Sequence, residues 1–99
     1  MQKIRIKYRK GEEVKYLSHL DLMRAVHRAV RRAGLPITYS QGFNPHMKIS
    51  WGKALKVGQA SNEEYAEIHL EQLMPPKEIM DRLNATLPSG IEIRDAFLV

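Results

Sequence analysis

A two-layer α+β domain, with four antiparallel strands covered on one face by two helices, is predicted by three observations. Apolar and cationic residues alternate strictly from Lys3 to Arg9, two later stretches carry apolar residues at helical spacing, and the segments follow in the order strand, helix, strand, strand, helix, strand. Runs this short, separated by turn residues, suit one antiparallel sheet.

Each element has a local cause. Ile4, Ile6 and Tyr8 point one way and Lys3, Arg5, Lys7 and Arg9 the other, which makes a half-buried strand with a cationic outer face. Lys10-Gly11-Glu12-Glu13 reads as a turn, and Val14 to Leu17 leads into the first helix. That helix opens at Ser18, whose hydroxyl can accept the backbone N–H of Asp21 while the Asp21 carboxylate suits the positive end of the helix dipole. Gly34 stops it and Pro36 bars continuation. On a helical wheel Leu22, Met23, Val26, Ala29, Val30 and Ala33 gather on one side, with Arg24, His27, Arg28 and Arg31 opposite. In the loop from Tyr39 to Lys48, Gly42 supplies a positive φ, Phe43 plugs the core and Asn44-Pro45 reverses the chain.

Lys48 to Trp51 reads as a short strand, and Gly52 to Asn62 as an irregular connection with turn signals at Gly58 and Ser61-Asn62. Ala66, Ile68 and Leu70 alternate with Tyr65, Glu67 and His69 in another half-buried strand. Pro75-Pro76 starts the second helix, Ile79, Met80, Leu83 and Leu87 form its buried stripe, and Pro88-Ser89-Gly90 ends it. Ile91, Ile93 and Phe97 belong to a last strand. This order is the split β-α-β pattern of the ferredoxin-like fold, in which the first and third strands are central. The outward set Lys3, Arg5, Lys7, Arg9, Tyr65 and His69 then shares the uncovered sheet face. Tyr8 falls on the buried side, so the paired aromatics of an RNA-recognition motif are missing and base stacking on the sheet is discounted.

Composition bounds the function. The chain of 99 residues fits one domain, residues 1–99, and its 43% hydrophobic and 27% charged residues are those of a globular protein. With no cysteine there is no disulfide framework, no cysteine-ligated zinc and no iron–sulfur cluster held by this chain; a reducing, cytoplasmic setting is expected. No apolar run is long enough for a membrane span or a signal core. A formal charge of +5 and a pI near 9.7 fit a polyanionic partner and equally fit plain solubility.

The candidate sites each have a bland counterpart. Arg24, Arg28 and Arg31 form a stripe that, with Lys48, can bind phosphate, or can be a solvated helix face. Gln41, Asn44 and His46, with His19 near the loop, can shape a more specific pocket, or can be parts of a structural turn. Tyr39 and Trp51 can stack on a base or pack at the rim of the core. Ser18-His19-Asp21 has the letters of a catalytic triad, but neighbours at a helix start cannot adopt its geometry, so a helix cap is expected. His19, His27, His46 and His69 lack metal-ligand spacing, and no metal or other cofactor is expected.

Tyr16-Leu17-Ser18-His19-Leu20-Asp21-Leu22, then Arg24, Arg28, Arg31-Arg32-Ala33-Gly34-Leu35-Pro36 and Tyr39-Ser40-Gln41-Gly42-Phe43-Asn44-Pro45-His46, strongly resemble the bacterial radical-SAM-associated domain of unknown function. Ser50, Ala54-Leu55, Val57-Gly58, Ser61 and Glu64 continue the resemblance, which covers residues 2 to 71 and thins afterwards. The family's domain is longer, so the resemblance implies its N-terminal half, with a C-terminal half-domain as one partner. Radical chemistry would belong to a separate radical SAM enzyme, and the resemblance implies an accessory role beside it, substrate recognition above all.

Three functions are therefore carried forward. The first is a binding module for a polyanion such as RNA, through Arg24, Arg28, Arg31 and Lys48. The second is a protein-interaction module docking its open sheet on the partner enzyme or a second half-domain. The third is a metal-independent RNA-processing enzyme with His46 or His19 as acid or base. The absence of a nucleophile constellation speaks against catalysis.

Overall fold

The computed structural model describes residues 2–52 and 61–99, and for residues 61–63 the backbone alone. Its elements are β1 (Gln2–Lys10), α1 (His19–Arg32), β2 (Ile49–Trp51), β3 (Ser61–Leu70), α2 (Pro76–Thr86) and β4 (Ile91–Leu98), with a single 3-10 turn at Glu12–Val14. The sheet runs β2-β3-β1-β4 and every neighbouring pair is antiparallel. The two longest strands occupy the centre, which is the ferredoxin-like arrangement predicted from the sequence. The expected connection through Gly58, and the motif positions Ala54, Leu55 and Val57, lie outside the described residues.

The alternation sets the register. Ile4 pairs with Ile68 and Ile6 with Ala66 on the covered face, while Lys3 faces His69, Arg5 faces Glu67 and Lys7 faces Tyr65 on the other. Both helices bury their stripes against the first set: Leu22, Val26, Ala29 and Val30 from α1, Ile79 and Leu83 from α2, all in one cluster with Ile4, Ile6, Tyr8, Ile68 and Leu70. A slip of one residue would turn four cations into this core, so the register is strongly specified. The Thr86 hydroxyl, donating to the Ala29 carbonyl at 3.0 Å, ties α2 to α1.

Three local expectations are corrected. Lys10 is not in a turn but ends β1, buried in the same inward row as Ile4, Ile6 and Tyr8; its ammonium donates to the Leu17 carbonyl at 2.7 Å, the partner that makes burial of a cation tolerable. Because β1 reaches this far, β3 extends to meet it and Lys10 pairs with Ser61, so Ser61-Asn62 start a strand instead of making a turn. Phe43 does not plug the core; it is fully exposed at a loop tip. Phe97 belongs to the last strand as expected, on the face opposite to Ile91 and Ile93, because the register shifts where Lys7 and Tyr8 face Asp95 and Ile93. Arg94 is the extra residue of that bulge, and after it Ala96 faces in and Phe97 out. Beside the bulge the Asn84 amide grips the Ile93 backbone, accepting its N–H at 2.7 Å and donating to its carbonyl at 3.0 Å.

Candidate polyanion-binding surfaces

The first surface is built on α1. Ser18 caps it as expected: its hydroxyl oxygen accepts the Asp21 N–H at 3.1 Å, and the hydroxyl donates to Asp21 Oδ2 at 2.9 Å. Serine and aspartate are thereby committed to the cap, and the triad letters have no catalytic geometry. Arg24, Arg28, Arg31 and Arg32 are all exposed. Arg24 reaches Asp21 only at 3.7 Å, and the other three have no carboxylate partner among the described residues. Arg31 and Arg32 sit in the last turn, where the helix dipole favours cations, so three unpaired charges are held together at modest cost.

A hairpin flanks this helix. Thr38 N–H donates to the His69 carbonyl and His69 N–H to the Lys48 carbonyl, so the segment continues the sheet beyond β2. Tyr39 pairs with Met47, Ser40 N–H donates to the His46 carbonyl at 2.7 Å, and the Ser40 hydroxyl oxygen accepts the His46 N–H at 2.9 Å. Gly42, at φ 126°, turns the tip as expected, and Gln41, Phe43, Asn44 and His46 all project into solvent. His46 lies near enough to His27 that its charge, after burial and the Arg31 guanidinium, helps hold the His27 pKa below the usual imidazole value.

His19 is not part of this pocket. Its ring meets Trp51 edge-on at 5.5 Å, and eight residues, about 12 Å of helix rise, separate it from His27. Trp51 stands between His19 and Tyr8, the latter at 5.8 Å, so it serves rim packing; its indole N–H is buried without a partner among the described residues. Burial, followed by the Glu64 carboxylate, pushes the Tyr8 phenol up to about 12, which keeps it neutral. Tyr39 stays exposed.

The second surface is the open sheet face, and Lys48 belongs here, apart from the arginines. Three rows cross it. Lys48, His69 and Lys3 form a cationic row: burial first, then the Lys48 and Lys3 charges, lower the His69 pKa, with Glu67 opposing weakly. In the next row Ser50 faces Glu67, Glu67 faces Arg5, and Arg5 faces Phe97. Arg5 donates to Glu67 Oε1 through Nη2 at 2.7 Å and Nε at 3.2 Å, and its guanidinium carbon lies 5.9 Å from the Phe97 ring centre. Those hydrogen bonds hold the Glu67 pKa below the usual carboxylate value. Tyr65 and Lys7 follow in the third row. Between the rows lies an open groove of about 450 Å³ lined by Arg5, Ser50, Trp51, Tyr65, Glu67 and Phe97, with Gly52 and Ala66.

Sequence reasoning placed Arg5, Tyr65 and Lys3 on this face but missed Glu67 and Phe97 as site residues. The period-two pattern already put Glu67 outward; nothing in the alternation announced the bulge that turns Phe97. Tyr8 is buried as expected, so the paired aromatics on the central strands are missing; the aromatic residues on this face are Tyr65 on β3 and Phe97 on the edge strand β4, 42% and 39% exposed.

Residues 3–99 match the family described as an uncharacterized protein conserved in bacteria (DUF2344). The chain belongs to that family. Its match runs on through α2 and β4, past the point where the motif resemblance thins, so the whole βαββαβ unit is a family feature. Among curated proteins no match was found. Among the described residues no cluster of three or more His, Asp or Glu could hold a metal ion, and no helix is long and apolar enough to cross a membrane.

Proposed function

We propose that this chain is a polyanion-recognition module whose substrate is RNA, serving a radical SAM enzyme that supplies the chemistry. The observation that carries the reading is the run Arg28, Arg31 and Arg32 on α1, exposed and without carboxylate partners among the described residues, beside a hairpin that presents the exposed His46. Exposed arginines gain little from one another and much from phosphate, which their planar fork can grip in bidentate fashion. Asn44 and Gln41 at the hairpin tip offer donors and acceptors to a ribose or a base edge, and Phe43 offers a ring.

Phosphate contact gives affinity without choice of sequence, so the hairpin is the element that discriminates. The partner enzyme follows from the motif resemblance, and the lack of cysteine assigns cluster binding to the partner. The test is binding of the chain to a pool of cellular RNA at two salt concentrations, beside an Arg24/Arg28/Arg31 triple alanine variant. Saturable binding is expected, with a salt slope about 2 lower in the variant, from ~0.7 per lost single-strand phosphate contact. Equal affinity and slope for the two proteins would refute the assignment.

A further inference from the structure

The open sheet face has a different chemistry from the helix stripe. Its central row is flat and close to neutral: both Arg5 bonds go to Glu67 Oε1, and the guanidinium is held between that carboxylate and the Phe97 ring. A pinned guanidinium beside an aromatic ring is a stacking platform for a planar base. Glu67 Oε2 is left to accept from a further donor, and the exposed Ser50 hydroxyl stands next to it in the same row. One register step along the strands, about 6.7 Å, lies the row Lys48, His69, Lys3, where neither lysine has a carboxylate at ion-pair distance among the described residues. At the other side stands Tyr65. Its carbonyl accepts the Gly52 N–H at 3.0 Å, and a Cβ at position 52 would itself come to 3.0 Å from that oxygen, so glycine suits this close approach of the two backbones.

We propose that this face holds one nucleotide of a single-stranded RNA, its base stacked on the Arg5–Phe97 platform in the groove walled by Tyr65, and its phosphate held by Lys48, Lys3 and His69. The inference rests on the RNA reading above and adds to it the part that senses the base. Charge complementarity selects this occupant. The row of cations asks for an anion, and the exposed rings of Tyr65 and Phe97, with Trp51 at the groove wall, offer planar surface on which a base can stack. Glu67 Oε2 accepts and cannot donate, so a base with an exocyclic amino group, adenine, cytosine or guanine, fits better than uracil, which offers only its N3–H.

The experiment is titration of the isotopically labelled full chain with short single-stranded RNA of A, C or U, with polyphosphate of matched charge, and with the free nucleotide. RNA is expected to shift the amides of Arg5, Tyr65, Glu67 and Phe97, and Phe97→Leu to weaken it about tenfold, within the ~1–3 kcal/mol of one base–aromatic contact. Polyphosphate binding should not change in that variant. Tyr65→Leu provides an independent check at an exposed position, and thermal melting confirms that both variants fold. Shifts confined to α1 and the hairpin, with both aromatic variants neutral, overturn the sheet site and leave the helix reading standing. Free nucleotide binding more tightly than the oligomer overturns the assignment to RNA, and absence of any RNA binding at low salt removes both proposals.

Discussion

The two faces of the sheet are written by the same strands in alternate residues, and they obey opposite rules. On the covered face Ile4, Ile6, Ile68 and Leu70 are wholly buried, and any change of shape is felt. On the open face Lys3, Arg5, Tyr65, Glu67 and His69 are at least partly exposed, and ion pairing there stabilises little, so their chemistry can serve a ligand. The difference teaches that the covered face determines the register and thereby positions the open one: His69 stands opposite Lys3 because Ile68 stands opposite Ile4.

That division can be broken from the covered side. Ile68→Ala, which leaves a cavity under both helices, should destabilise the chain by about 3 kcal/mol in urea unfolding, and whatever stays folded should bind RNA normally. Asn84→Ala orphans the Ile93 N–H and carbonyl and should cost about 2 kcal/mol, with the loss of order centred on β4. Ser18→Ala removes the α1 cap and should cost about 1 kcal/mol. Phe97→Leu tests the opposite side: a melting curve within about 0.5 kcal/mol of the parent, with binding impaired.

Acidity sharpens the contrast further. His27 and His69 are both held below the ordinary imidazole value of 6.5, so the unfolded chain takes up protons first as the pH falls. Stability should be fully present above that value and decline through and below it, and His27→Gln with His69→Gln should flatten the decline in denaturant titrations across pH. On the RNA site proposed above, the sign at His69 is expected to reverse. A phosphate beside Lys48 and Lys3 favours the imidazolium, so affinity should rise over the same fall in pH, and in the His69→Gln chain it should not.

Most of the architecture was legible because period two and period 3.6 are strong signals, and Ser18, Gly34 and Pro75-Pro76 mark where one gives way to the other. Lys10 could have been read too, since it stands in step with Ile4, Ile6 and Tyr8; a lysine there looked like a turn residue only because its partner, the Leu17 carbonyl, is supplied by folding. The α1 stripe was visible on a helical wheel. The separation of Lys48 from it was not, because the hairpin that carries Lys48 across to the open face is set by backbone bonds to His69. His19 went to Trp51 for a similar reason: sequence shows which residues sit near a helix start, not which strand end lies beneath them.

Arg94 gives the last strand two frames of reading. Up to Ile93 odd-numbered positions point inward; after one interposed residue the even ones do. Removing Arg94 would close the gap and leave Phe97 on the face it has now, whereas keeping Arg94 but losing the bulge would let the alternation run unbroken from Ile93 and carry the ring from the open face into the space beneath the helices. The chain end is in this sense a movable cassette, whose phase against β1 decides whether its aromatic residue serves the interior or the surface.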